Sequence, residues 1–87
     1  MRIKEGFVVR EIAGESVVFA LGEASKIFNG MIRLNESAKM LWKLLEQGCE
    51  KDALVGAMLE QYDVEREIAE HDVDRLIETL KGANILE

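Results

Sequence analysis

The stretch that decides the fold is NGMIRLNESAKMLWKLL, residues 29–45, in which the spacing of apolar residues changes halfway. Up to Leu34 the pattern alternates, with Ile32 and Leu34 on one side and Met31 and Arg33 on the other, which is typical of a strand. From Asn35 onward the apolar residues recur at helical spacing, at Ala38, Leu41, Trp42 and Leu45. One residue separates the two patterns, so the sequence predicts a strand that runs directly into a helix.

The residues before this stretch predict a hairpin and a loop. Two runs rich in β-branched residues, Phe7–Ala13 and Ser16–Leu21, flank a tight turn that we expect at Gly14-Glu15. The segment GEASKIF is expected to be a loop, and the third strand to span Phe28–Leu34. Gly30 inside that strand indicates a bulge or the close approach of another backbone.

The residues after it predict three helices. Asn35 is a good N-cap for the first, which runs to about Gln47 and ends before Gly48. A second helix is expected over residues 51–61, and a third over residues 65–81 with Asp63 as its cap. The tail ANILE is expected to fold back, burying Ile85 and Leu86.

The element order β-β-β-α-α-α predicts an α+β fold, in which a three-stranded antiparallel sheet packs on a three-helix bundle. Residues 1–87 are expected to form one domain, with the sheet in residues 1–34 and the helices in residues 35–87. Three strands with one apolar face need the helices as a second layer. So small a sheet leaves at least one edge strand unpaired, which is normally a liability.

Charge is distributed unevenly along the chain, whose net charge is −6. Residues 1–34 carry five Lys and Arg against four Asp and Glu, whereas residues 35–87 carry six against thirteen. An acidic helical half repels phosphate backbones, so nucleic acid is disfavoured as a partner. The N-terminal segment does not read as a signal peptide and no apolar run is long enough for a membrane span, so we expect a cytoplasmic protein.

The sequence carries little sign of catalytic chemistry. His71 is the sole histidine, and its neighbours Glu70 and Asp72 project from different helix faces, so we expect a surface residue. Cys49 is the sole cysteine, expected to be a partly buried thiol at a helix junction. Neither a metal-ligand spacing nor a phosphate-binding glycine loop occurs. We therefore expect no catalytic residues, no metal and no cofactor, although the acids of DVEREIAEHDVD leave acid/base chemistry as a formal option.

One flank of the third predicted helix is small and weakly charged. On a helical wheel the core centre falls near Val73 and Leu80, and the opposite flank is charged, with Glu70, Asp74 and Lys81. The weakly charged flank could border a groove or pack in the ordinary way, and it consists of Asp72, Leu76, Thr79 and Ala83.

With these residues located, the chain resembles the PqqD family. The resemblance lies in IRLNESAKMLWKLLEQG and in AMLEQYDVEREIAEHDVDRLIETLKGANILE. It covers residues 28–87 clearly and the hairpin loosely. A strand ends in Leu34-Asn35, and matching residues follow it at Ala38, Leu41, Trp42, Leu45, Tyr62, Asp72 and Val73.

The resemblance implies a winged-helix-like domain that acts as a peptide chaperone, the RiPP recognition element. Such a module binds the leader of a ribosomally made precursor peptide and presents it to a modifying enzyme, often a radical-SAM protein, without catalysing a reaction itself. The leader adds as an extra strand against the third strand, in a groove beside the third helix. Mapped onto this sequence, the peptide-binding residues are Asn29, Gly30, Met31, Ile32, Arg33, Asp72, Leu76, Thr79 and Ala83.

Two departures from the family pattern matter. The segment GCEKD lacks the threonine that commonly caps the second helix, which puts the start of that helix in question. The loop GEASKIFNGM is similar to generic PqqD-like proteins rather than to dedicated members of the pyrroloquinoline quinone pathway, which favours another peptide-modification pathway.

Two other functions are considered beside leader binding. A winged-helix DNA-binding regulator would share the fold, but the acid-rich third helix argues against it. A small enzyme is the third candidate. The sequence leaves open the precursor peptide, the modification and whether the chain forms a homodimer.

Overall fold

A computed structural model describes residues 1–26, 28 and 30–87 of the chain. Three strands come first: β1 (Phe7–Ile12), β2 (Glu15–Ala20) and β3 (Ile32–Leu34). Three helices follow: α1 (Glu36–Gln47), α2 (Lys51–Gln61) and α3 (Arg66–Gly82). The predicted α+β order is confirmed, with an antiparallel sheet in the order β1-β2-β3.

The hairpin turn lies one residue earlier than predicted. Ile12 pairs with Glu15, so the loop is Ala13-Gly14 rather than Gly14-Glu15. Both loop residues have positive φ, 52° at Ala13 and 83° at Gly14. This is the type I′ geometry, whose twist matches that of the flanking strands. The second loop position of this turn favours glycine, which explains why Gly14 occupies it and why the loop begins at Ala13.

The segment between β2 and β3 departs most from the prediction. A 3-10 helix occupies Gly22–Lys26, where the sequence predicted a loop, and its Ala24 is buried. β3 has only three residues instead of the seven of Phe28–Leu34. Gly30 therefore lies before the strand and not inside it. Phe28 also lies outside β3, and its ring packs edge-to-face on Phe7 at a centroid distance of 5.6 Å.

The first helix starts and stops as its sequence predicts. The side chain of Asn35 accepts a hydrogen bond from the backbone N–H of Ala38 at 2.8 Å, which satisfies one free amide of the first turn. At the other end Gly48 adopts φ 91° and donates to Leu44 and Leu45. Only Asn35 separates the end of β3 from the start of α1, so the helix follows the strand directly.

The second and third helices begin without side-chain caps. α2 starts at Lys51 as predicted, and its N-cap Glu50 makes no capping hydrogen bond. The expected cap of α3, Asp63, is wrong, since the N-cap position belongs to Glu65 and carries no side-chain bond. Lys51 of α2 and Asp74 of α3 form a 2.8 Å ion pair that links the two helices.

One hydrophobic core joins the sheet to the helices. Phe7 and Val18 line the inner face of the sheet, and Trp42, at 1% exposure, sits on the core side of α1 as predicted. The Trp42 Nε1–H donates to Glu46 at 3.1 Å, so its polar group is satisfied. The predicted stripe of α3 is buried throughout, at Ala69, Val73, Leu76, Ile77 and Leu80.

The two ends of the chain close the core together. Ile3 and Leu86 form an isolated antiparallel bridge, and Lys4 N–H donates to the carbonyl of Ile85. Ile85 is fully buried and Leu86 is 7% exposed, which confirms the predicted closure by the tail. No helix in the described part of the chain has the length and apolar character needed to cross a membrane.

Candidate functional site

The outer edge of β3 is open. Among the described residues β2 is the sole strand paired with β3, through Ser16–Leu34, Val17–Arg33 and Val18–Ile32. Outside the sheet, no described backbone group hydrogen-bonds to β3. The far edge of this strand thus has main-chain groups available for another chain.

The register determines which main-chain groups point outward. In a two-residue hairpin the closing pair Ile12–Glu15 is hydrogen-bonded, and bonded and non-bonded pairs then alternate along the ladder. Val17 therefore bonds towards β1, while Ser16 and Val18 bond towards β3. It follows that Ile32 and Leu34 bond to β2, and that the N–H and C=O of Arg33 face the open edge.

A groove of about 680 Å³ lies beside this edge. Its walls are β3, the start of α1 and one face of α3, and the turn end of the hairpin closes it. It is lined by Glu11, Gly14, Glu15, Ser16, Ile32, Arg33, Leu34, Asn35, Glu36, Ser37, Ala38, Leu41, Asp72, Arg75, Leu76 and Thr79. We call this set the groove throughout.

The floor of the groove is apolar. Leu34, Leu41 and Leu76, each from a different element, are between 2% and 9% exposed. Ala38 is half-buried on the same side of α1, and its small side chain leaves the space open. An apolar floor under a polar rim is the usual composition of a site that binds an organic ligand.

An ion pair marks the hairpin end of the groove. Glu11 lies on the inner side of β1, where it pairs with Lys39 of α1 and accepts a hydrogen bond from Ser16 Oγ at 3.0 Å. These two hydrogen bonds, chiefly the one from Lys39, hold the pKa of Glu11 below its ordinary value. The same contact raises the pKa of Lys39. Both groups are therefore charged at neutral pH.

Two basic residues, Arg33 and Arg75, line the groove, and their environments differ. Arg33 pairs with Glu15 at 3.5 Å on the outer side of the sheet, where both side chains are more than half exposed. Arg75 of α3 makes no ion pair with any described residue, and neither does Asp72 one turn before it. Arg75 is exposed, and Asp72 is half-buried.

The structure places the predicted site residues in three groups. Ile32, Arg33, Asp72, Leu76 and Thr79 line the groove together. Three others lie away from it: Gly30 and Met31 precede β3, and Ala83 packs against the core at the end of α3. Asn29 lies outside the described residues.

Sequence reasoning missed several lining residues. Glu11 and Ser16 come from the far end of the hairpin, and only the pairing register reveals that they reach the groove. The residues at the start of α1 follow directly from its position after β3 and could have been inferred. Arg75 lies 40° from Thr79 on the helical wheel, so a wider sector of that face would have included it.

The other chemical groups behave as isolated residues. Burial raises the pKa of the Cys49 thiol, and a protonated thiol is a poor nucleophile. His71 is exposed, as predicted. No group of three or more potential metal ligands occurs among the described residues.

The fold and groove define a winged-helix-like α+β domain with one strand edge open beside a helix. The family model described as coenzyme PQQ synthesis protein D (PqqD) matches residues 9–86. The chain therefore belongs to the PqqD family. No curated protein matches it significantly by sequence.

Two solved structures share this architecture over almost their whole length. One is TbiB1 in complex with the TbiA(beta) leader peptide, with a TM-score of 0.77 and 26% identity, covering 100% of this chain and 95% of the other. The second is lasso peptide synthetase B1 complexed with the leader peptide, with a TM-score of 0.73 and 23% identity, covering 97% and 93%. At that identity the second similarity concerns the fold alone.

Proposed function

We propose that this protein is a binding module that captures the leader of a ribosomally made precursor peptide by strand addition and presents it to a modifying enzyme. The observation that carries the proposal is the open edge of β3 beside an apolar groove. The similar TbiB1 structure, which is a complex with a leader peptide, supports it.

Strand addition supplies affinity through the main chain. The guest strand, our name for the bound leader segment, would pair with the outward N–H and C=O of Arg33. Each such hydrogen bond contributes roughly 0.5–1.5 kcal/mol net and is nearly independent of the guest sequence. One short strand edge therefore needs a second source of affinity and selectivity.

The groove supplies that second source. Alternate side chains of the guest strand would enter it and contact Leu76 and Leu41, where apolar burial contributes about 25 cal/mol per Å². The remaining side chains would face the outer side of the sheet, next to Arg33. We propose that Arg33 pairs there with an acidic leader residue, and that Asp72 pairs with a basic one.

Gly30 and Met31 belong to the proposed site as the continuation of β3. Met31 is 67% exposed. Because it lies two residues before Arg33, its N–H and C=O are on the same side of the chain as those of Arg33. A guest strand that pairs past Ile32 would cover the Met31 side chain. Asn29 and Ala83 are proposed to extend the site at either end.

The protein's part in modification is proposed to be recognition without catalysis, as the family membership supports. The modifying enzyme is proposed to be a radical-SAM protein, and the compartment to be the cytoplasm. Sedimentation velocity of the purified chain tests whether it forms a homodimer.

Charge on α3 disfavours the DNA-binding alternative. Helix α3 carries five acidic residues against three basic ones, whereas helices that read a DNA groove present Arg, Lys or Asn to the bases.

The test of the proposed function uses the leader of a precursor peptide encoded beside this gene, labelled for fluorescence anisotropy. Thr79→Lys places a charge in the groove at an exposed position and should weaken leader binding at least about tenfold. Leu76→Lys should have a larger effect, since Leu76 is part of the apolar floor.

The matched control is Ile68→Lys, at a residue of α3 that is 53% exposed and lies outside the groove. It should bind the leader as the unmodified protein does. Equal affinity of the Thr79→Lys variant and the control, with both folded by circular dichroism, would contradict the proposed groove.

A further inference from the structure

Among the described residues, one basic side chain of the groove forms no ion pair with the rest of the protein. Residues 35–87 carry thirteen acidic and six basic residues, yet the exposed basic side chain on the α3 wall of the groove, Arg75, has no ion-pair partner among the described residues. Of the other cations at or beside the groove, Lys39 pairs with Glu11, and Arg33 has its side chain on the outer side of the sheet, away from the α3 wall.

Arg75 also lies beside the apolar floor. It lines the groove together with Leu76, a floor residue, and it lies one turn from both Asp72 and Thr79, so these residues form one wall of the groove. A group bound against Leu76 thus comes within reach of the Arg75 guanidinium. A guest strand in the groove would remove water from that position and strengthen a charge-assisted hydrogen bond there.

From this placement we infer that Arg75 is a specificity-determining residue that selects a leader with a carboxylate next to its apolar anchor. This inference rests on the proposed leader binding. Side chains on one face of a strand recur every second residue, roughly 6–7 Å apart. The recognised element is therefore an apolar residue on the Leu76 floor and an Asp or Glu two positions away, on the same face of the guest strand.

The geometry favours a side-chain carboxylate over other partners of Arg75. The planar guanidinium carries five N–H donors in a fork that matches a carboxylate in bidentate geometry. Asp72 is near in sequence, but the two residues form no ion pair in the structure. An acidic guest residue would also find few other cations on this wall, which makes the position selective.

The experiment selects binders from a displayed library of short random peptides, so that no natural leader has to be known. Selection on the unmodified protein should enrich peptides in which an acidic residue lies two positions from an apolar one. Selection on Arg75→Glu should exchange the acidic residue for Lys or Arg, whereas Arg75→Lys should keep the acidic preference.

The control is Arg66→Glu, which makes the same charge change on α3 outside the groove. It should select the same peptides as the unmodified protein. A peptide selected on the unmodified protein should bind the Arg75→Glu variant roughly tenfold more weakly, and the peptide with its acidic residue changed to Lys should recover that loss. The affinity for the acidic peptide should also fall as salt is added.

The outcomes separate the inference from the proposed function. Enriched peptides that compete at the groove but show no acidic preference would overturn the role of Arg75 and leave leader binding intact. A loss of affinity in Arg75→Glu without any change in the selected residues would also overturn the role of Arg75 in specificity. Such a result indicates that Arg75 contacts the main chain of the peptide. A library that yields no peptide sensitive to Thr79→Lys would overturn strand binding in the groove itself.

Discussion

The position of Arg33 along β3 determines where both its main-chain groups and its side chain point. Its neighbours Ile32 and Leu34 direct their main-chain groups to β2, and Arg33 directs its own to the open edge. Its side chain meanwhile points to the outer side of the sheet, where it pairs with Glu15 at 3.5 Å. One residue thus offers a guest strand both a main-chain pair and a cation.

Proline substitutions at Arg33 and at Ile32 separate leader binding at the open edge from the stability of the sheet. Arg33→Pro removes the outward N–H and should abolish most leader binding while the β2–β3 hydrogen bonds persist. Ile32→Pro removes an N–H that bonds to β2, so its main effect should be a lower free energy of unfolding. Anisotropy titrations and urea denaturation of both variants measure the two effects.

The control is Arg33→Ala, which keeps the main-chain donor and loses only the charge. It should bind the leader more tightly than Arg33→Pro does. If Arg33→Pro binds as well as Arg33→Ala while remaining folded, the guest strand does not use the main chain of Arg33.

At the scale of the elements, a polar contact joins the hairpin to the first helix. Glu11 of β1 receives hydrogen bonds from Lys39 of α1 and from Ser16 of β2. Among the described residues it is the one ion pair that joins a strand to a helix, and it lies at the hairpin end of the groove. The contribution of this contact to the stability of the fold also depends on pH.

The pKa of Glu11 is held below its ordinary value near 4.5, chiefly by the hydrogen bond from Lys39. A carboxylate with a lowered pKa in the folded state stabilises the fold above its unfolded pKa, and this contribution is lost as pH falls through the folded pKa. Glu11→Gln should therefore lower the thermal midpoint at neutral pH, and the difference from the unmodified protein should shrink below about pH 4.5.

The measurement is the thermal midpoint of both proteins across acidic and neutral pH. Glu78→Gln, at an exposed position without an ion pair among the described residues, controls for the loss of a charge. A difference between Glu11→Gln and the unmodified protein that stays constant from neutral to strongly acidic pH would show that the ion pair contributes nothing.

At the scale of the whole molecule, the terminal segments complete the core that holds the groove walls in place. Ile3 bridges to Leu86, and Ile85 is buried beneath them. A domain of this size has a total free energy of unfolding of about 5–15 kcal/mol, so the loss of one buried side chain is a large fraction.

Ile85→Ala should lower the free energy of unfolding by roughly 2–5 kcal/mol, because Ile85 is fully buried and its truncation leaves a cavity. Ile68→Ala removes the same atoms from a side chain that is 53% exposed and should change stability by less than about 0.5 kcal/mol. Urea denaturation compares the two. Similar losses would mean that the tail does not close the core.

Features that depend on a few neighbouring residues were predictable from the sequence. The order of the elements, the Asn35 cap of α1 and the apolar stripe of α3 all agree with the structure, because each arises from local hydrogen bonding or helical spacing. The Asp63 cap is wrong because α3 begins at Arg66, which puts Glu65 and not Asp63 at the N-cap position.

What tertiary structure alone decided is the composition of the groove and the extent of its strand. The length of β3, the outward phase of Arg33 and the meeting of Glu11, Leu41 and Arg75 depend on which strands pair and how α3 crosses them. Local sequence determines the faces of each element, through the periods of strand and helix. Which faces end up opposite one another depends on contacts between residues far apart in the chain, and no local pattern encodes these.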